Sequence, residues 1–192
     1  SYSVARVLEA VGEEAGPAIR AALADKPAVR QRVGIEAAVL PVRLLRELER
    51  RDASAQYVEI LPTLYELCEI KDADEIALLQ EGIALTETAY RAAQETIRPG
   101  LTELDVYNAM YVALVEKAGT SVPFAGDFAC GLRGIGGGGA PTRRLLQEGD
   151  LYILDIFPTW RGYQADMCRT FAVSTISPVQ QQAWELVRGA LE

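Results

Sequence analysis

The chain has 192 residues, 49% of them hydrophobic, a size and composition typical of one large or two modest globular domains. Lys and Arg number 19 against 27 Asp and Glu, and the net charge of −8 argues against a surface for nucleic acid or an anionic membrane. The chain contains no histidine, so any metal or acid–base chemistry must come from carboxylates.

Cysteine usage and hydropathy indicate the compartment. Cys68, Cys130 and Cys168 are widely spaced and form no CxxC pair, so a disulfide framework is not indicated and a cytoplasmic location is expected. No apolar run approaches the roughly 20 residues that a membrane span needs, which predicts a soluble protein. Because Ser1 is not Met and Glu192 lies inside a helical pattern, we expect a processed or partial polypeptide.

The first third of the chain has the pattern of an α/β layer. Helical spacing covers residues 1–25, a short strand is predicted at 33–36, and Pro41 can begin a helix. Residues 62–70 are punctuated by Pro62 and are predicted to be a connection between two domains.

Two amphipathic helices follow, the first ending before Pro99 and Gly100 and the second near residue 118. The capping pairs that mark their N termini are Asp72 with Glu75 and Thr102 with Asp105.

A β-hairpin is predicted next. Residues 151–157 form an apolar run dense enough for a strand buried on both faces, and residues 163–173 are predicted to be its partner. Residues 159–162 make a four-residue loop in which Gly162 can adopt positive φ.

Two aspartates lie on this hairpin. If its centre falls between Trp160 and Arg161, Asp155 and Asp166 face each other directly, with Cβ atoms about 4.5–5.5 Å apart. Like charges so placed require a retained proton or a cation, and hard oxygen donors suit Mn²⁺, Mg²⁺, Co²⁺ or Zn²⁺. The alternative is that a bulge separates them, one facing solvent and the other bonding the turn.

The residues around both aspartates resemble a known family. EGDLYILDI at 148–156 and GYQADMCRTF at 162–171 resemble the first metal-binding segment of pita-bread metallopeptidases, which include Xaa-Pro aminopeptidases, prolidases and methionine aminopeptidases. The resemblance implies an α/β (α+β) fold: an incomplete pita-bread domain at 71–192, a linker at 62–70, and the latter part of a creatinase-type N-terminal domain at 1–61.

The resemblance also implies a dinuclear site. Asp155 and Asp166 match the first two of five ligands, Asp166 being the bridging one, and a His and two Glu would lie beyond Glu192. We expect two divalent ions (Mn, Co or Zn) in a complete site, and weak or no metal binding and no activity in this chain alone. The implied reaction is hydrolysis of an N-terminal peptide bond in substrates with proline second, by a homodimer.

Departures from the family pattern keep two rivals open. The substrate-side His expected between Gly131 and Pro141 is replaced by Gly138, so no catalytic residue is identified in this chain. The rivals are a non-catalytic module that binds peptides or proteins, and a creatinase-like amidinohydrolase, which would also need that His. Cys168, where the family often has Thr or Ser, is expected to be an inert, packed thiol.

Overall fold

The structure, a computed structural model, describes residues 32–51 and 53–191. The helix predicted over residues 1–25 lies outside the described residues. The chain divides into two compact units between Lys71 and Asp72. Within the described residues, no helix has both the length and the apolar character needed to span a membrane.

The first unit contains a β-α-β arrangement. Strands β1 (Arg32–Ile35) and β2 (Gln56–Glu59) pair in parallel, and helix α1 (Val42–Arg51) connects them. A parallel pair requires such a crossover because a tight turn cannot return the chain to the same edge. The predicted strand near residue 33 and the helix after Pro41 are therefore confirmed.

Part of the predicted connection is helical. Helix α2 (Leu61–Glu69) occupies most of residues 62–70, and Pro62 lies in its first turn. Proline is tolerated there because the first backbone N–H groups of a helix have no intrahelical partner. Pro62 was therefore misread as an interruption, while the role of the segment as an interdomain linker stays a prediction.

Two long helices begin the second unit. Helix α3 (Ala73–Thr96) and helix α4 (Glu103–Ala118) both start with capping boxes at the predicted pairs. In the second box, the Thr102 N–H donates to Asp105 Oδ2 at 2.7 Å, and the Asp105 N–H donates to Thr102 Oγ1 at 3.2 Å. Both predicted helix starts are confirmed.

The second unit also contains an antiparallel sheet. Its strands are β3 (Phe124–Cys130), β4 (Leu151–Trp160), β5 (Tyr163–Gln164) and β6 (Met167–Ala172), and helix α5 (Pro178–Leu191) follows. β4 pairs with β3 on one edge and with β5 and β6 on the other, so it is the central strand.

The two faces of β4 differ in burial. Tyr152, Leu154 and Ile156 are fully buried and pack in the core with Met110 of α4 and Ala89 of α3. The alternate residues, including Asp155, are only half-buried. The prediction of burial on both faces is thus wrong for the described residues, because the helices cover one face only.

The hairpin turn is shorter than predicted. Thr159 pairs with Gln164 and Trp160 with Tyr163, which leaves only Arg161 and Gly162 in the turn. Their φ values are 49° and 91°. A two-residue turn with positive φ at both positions matches the twist of the flanking strands, which explains why it replaces the four-residue loop.

Candidate metal centre

The shorter turn changes the partner of Asp155. Asp155 pairs with Cys168, not with Asp166, so the predicted direct pairing of the two aspartates is wrong. Asp166 lies just before β6 and outside any strand, and its charge helps to raise the pKa of Asp155, so the two carboxyl groups are close enough to interact. The two aspartates are therefore neighbours at the edge where β4 meets β6, without being a cross-strand pair.

A third carboxyl group lies beside this pair. Asp127 of β3 is directly opposite Asp155 of β4 in the sheet register. Burial, followed by the charges of Asp166 and Asp127, raises the pKa of Asp155. The half-buried face of the sheet thus concentrates negative charge at Asp155, and a cation would relieve the repulsion.

Asp127 also lies against the glycine-rich loop at residues 136–139. A Cβ atom added to Gly138 would overlap the carboxyl group of Asp127. Gly138 stands where the resembling family carries a histidine. The carboxyl group of Asp127 fills the space that a side chain at this position would need. A carboxyl group and an imidazole differ in the hydrogen bonds they can form, so the chemistry offered at this position changes.

A buried glutamate holds both ends of this loop. Glu103, at the start of α4, is fully buried and accepts hydrogen bonds from the Cys130 N–H at 2.9 Å and from the N–H and Oγ1 of Thr142 at 2.9 and 2.7 Å. It also forms an ion pair with Arg133. The guanidinium of Arg133 donates to the carbonyl oxygens of Phe128 at 3.1 Å and Ala140 at 3.0 Å. The loop is therefore anchored to the helix layer.

Cys168 differs from its prediction. Its residue surface is exposed, so it is not a packed thiol. Partial desolvation of the sulfur, followed by the charge of Asp155, raises the pKa of its thiol. The open face of the sheet explains its exposure, and the raised pKa disfavours the reactive thiolate.

The residues present fit a divalent ion only in part. Asp155 and Asp166 supply hard oxygen donors, and the local negative charge favours a cation. Over residues 32–51 and 53–191, however, no group of three or more His, Cys, Asp or Glu side chains is arranged to hold a metal ion. The two aspartates can therefore contribute ligands to a site but do not complete one.

Comparison with known proteins identifies the family. Residues 77–192 match metallopeptidase family M24, and the chain belongs to this family. It is 26% identical over 156 residues to an Xaa-Pro dipeptidase of Pyrococcus horikoshii, a match that covers 81% of this chain and 44% of the relative.

Solved structures agree with this assignment. An Xaa-Pro dipeptidase from Bacillus anthracis superposes with a TM-score of 0.75 at 26% identity, covering 83% of this chain and 45% of that one. An X-Pro aminopeptidase from Thermotoga maritima, at 19% identity, superposes with a TM-score of 0.78 over 91% of this chain and 49% of that one. The chain spans less than half the length of these relatives. The predicted family and the incomplete pita-bread α/β fold are confirmed.

Sequence reasoning did not single out Asp127 or Glu103 as site residues. An isolated acid inside the apolar strand FAGDFAC at residues 124–130 was the available signal for Asp127. Glu103 directly follows the N-cap Thr102, where an acid is ordinarily explained by the helix dipole, and its burial was not foreseeable from that position.

Proposed function

We propose that the full-length protein hydrolyses N-terminal peptide bonds in Xaa-Pro substrates, with divalent metal ions held in part by Asp155 and Asp166. Family membership supports metallopeptidase-type hydrolysis. The observation that carries the metal assignment is the placement of Asp155 directly opposite Asp127 in the sheet, with Asp166 close enough for its charge to act on Asp155. Such a concentration of charge is stabilised by a cation.

The residues around the site have separate roles in the proposed reaction. When bound, divalent ions polarise the scissile carbonyl and activate water. Asp155 and Asp166 hold the ions on the open face of the sheet, and Glu103 fixes the loop that borders it. Gly138 offers no side-chain donor at its own position. Residues beyond this chain would therefore supply the remaining ligands and the substrate-side donors.

The experiment uses the full-length protein with Mn²⁺ and a pair of dipeptides, Xaa-Pro and Xaa-Ala. We expect chelator-sensitive hydrolysis of the Xaa-Pro peptide and about two Mn²⁺ per chain. Asp155→Asn and Asp166→Asn should each lower kcat/KM at least about 100-fold, since Lewis-acid catalysis supplies several kcal/mol. The exposed Asp74 at the start of α3 offers the matched control Asp74→Asn. Full-length protein that binds no metal in saturating Mn²⁺ refutes the proposal.

A second candidate is a non-catalytic module that binds peptides or proteins. The arrangement of Asp127 over Gly138 favours it, because an acceptor stands where the resembling enzymes carry a histidine. This candidate predicts peptide affinity without turnover. Neither the manganese preference, the homodimer nor the cytoplasmic location follows from the site geometry, and all three stay predictions. A creatinase-like amidinohydrolase remains the third, weaker proposal and predicts hydrolysis of creatine.

A further inference from the structure

The phenol of Tyr90 contacts the backbone of the two chain segments that carry Asp155 and Asp166. Tyr90 lies on α3 and is 8% exposed. Its hydroxyl lies 2.9 Å from the carbonyl oxygen of Leu154 on β4 and 2.5 Å from that of Met167 on β6, and its one hydrogen is shared between these two acceptors in a three-centre bond. These carbonyls belong to the residue before Asp155 and the residue after Asp166. One hydroxyl therefore links the two chain segments that carry the proposed ligands.

Asp166 lies in a break between two strands, where the ladder of backbone hydrogen bonds is interrupted. Residues 165 and 166 separate β5 from β6 and belong to neither strand. The Ala165 N–H still donates to the Pro158 carbonyl at 3.0 Å, but Asp166 itself is exposed. The Tyr90 bond to Met167 is thus the first anchor to the helix layer after Asp166.

The remaining surroundings of Tyr90 fix its ring. The ring stacks on Phe171 with centroids 6.0 Å apart, and the Arg169 guanidinium lies 5.9 Å from the ring centroid. Burial, followed by nearby Cys168, raises the pKa of Tyr90, so its hydroxyl remains a donor at neutral pH. Phenylalanine would preserve this packing and remove only the hydroxyl.

We propose that Tyr90 is a positioning residue for the metal pair, because its hydroxyl holds β4 and β6 at the separation that Asp155 and Asp166 need to share one site. This inference rests on the proposed function. The Tyr90 hydroxyl has this role, and the ring does not. Groups that hold metal ligands in place without touching the metal typically change metal affinity 10- to 100-fold when they are removed.

The test compares Tyr90→Phe with Tyr107→Phe in the full-length protein. Tyr107 lies on α4 and packs on Phe124 and Phe128, so the control removes a phenolic hydroxyl from the same unit. Mn²⁺ affinity is measured from the electron paramagnetic resonance signal of the free ion. We expect at least about tenfold weaker binding in Tyr90→Phe and wild-type binding in Tyr107→Phe. Equal affinity of Tyr90→Phe and wild type, or equal weakening in both variants, overturns the proposal.

A second measurement needs no metal. Amide hydrogen exchange in the metal-free protein should accelerate at residues 154–156 and 167–169 in Tyr90→Phe but not in Tyr107→Phe. Unchanged exchange there shows that the hydroxyl does not hold the strands and overturns the proposal. Wild-type protein that binds no Mn²⁺ refutes the proposed function and the metal part of this inference. The exchange result then still decides whether Tyr90 holds the two strands.

Discussion

The carboxyl group of Asp127 lies where a side chain on Gly138 would have to begin. Asp127 belongs to β3 and faces Asp155 in register, whereas Gly138 belongs to the loop that Glu103 anchors. The two positions therefore exclude each other sterically. A side chain can occupy position 138 only if the acid at position 127 moves away.

Replacing Gly138 by alanine should destabilise the protein by only about 1 kcal/mol, the low end of the cost of overpacking, because Gly138 is exposed and the carboxyl end of the Asp127 side chain can rotate away. Chemical denaturation of the metal-free protein measures this. Gly136→Ala is the matched control, because a Cβ atom there meets nothing within 4 Å. The double variant Asp127→Ala with Gly138→Ala should recover most of the loss. Equal effects at positions 136 and 138 would show that the acid and the loop do not compete for space.

Asp155→Asn should stabilise the metal-free protein at neutral pH. The folded state raises the pKa of Asp155 above its ordinary 3.8, through burial and the neighbouring acids, so the charged form is disfavoured on folding. The folded state then binds more protons than the unfolded state, and stability falls as pH rises through the folded pKa. Thermal unfolding at several pH values should show a gain at neutral pH that disappears near pH 3.8. A loss of stability at neutral pH would contradict the repulsion.

Glu103→Gln should lower the free energy of unfolding by about 2 kcal/mol at neutral pH, because a charged acceptor of several hydrogen bonds is lost. Burial alone acts to raise the pKa of Glu103, but hydrogen bonds from Thr142, Cys130 and Arg133 outweigh it and lower the pKa.

The loss of stability in Glu103→Gln should depend on pH. A depressed folded pKa contributes stability that is present above the ordinary value of 4.5 and is lost as pH falls through the folded pKa. The difference between wild type and Glu103→Gln should therefore shrink below about pH 4. The exposed Glu116 supplies the control Glu116→Gln, which should differ little from wild type at any pH. A constant difference across pH would mean that the charge of Glu103 is not stabilising.

Thiol alkylation should report the electrostatics of the site. Burial, followed by the charge of Asp150, raises the pKa of Cys130 to about 12, so it should not react in the folded protein. Cys168 is exposed but has a raised pKa, and iodoacetamide should modify it severalfold faster in Asp155→Asn than in wild type. The exposed Cys68 of the first unit is the internal reference. Peptide mass spectrometry gives the three rates, and an unchanged Cys168 rate would argue against coupling to Asp155.

Local patterns in the sequence were sufficient for most of the secondary structure. The capping pairs at Asp72 and Thr102 marked both helix starts, because caps are formed by residues three positions apart. The Asp155 and Asp166 segments were sufficient for the family. Pro62 was misleading because the same residue either interrupts a helix or begins one, and only its position in the turn distinguishes these outcomes.

The register of the hairpin was decided by the folded structure. A turn of two residues instead of four moved the partner of Asp155 from Asp166 to Cys168, a difference that no local composition specifies. The contacts of Asp127 with Gly138 and of Tyr90 with the two strands join residues far apart in the chain. The sequence alone determined the two capped helices, the β4 strand and the family, since these depend on short-range patterns. Which side chains meet at the site depended on sheet register and helix packing, which exist only once the chain is folded.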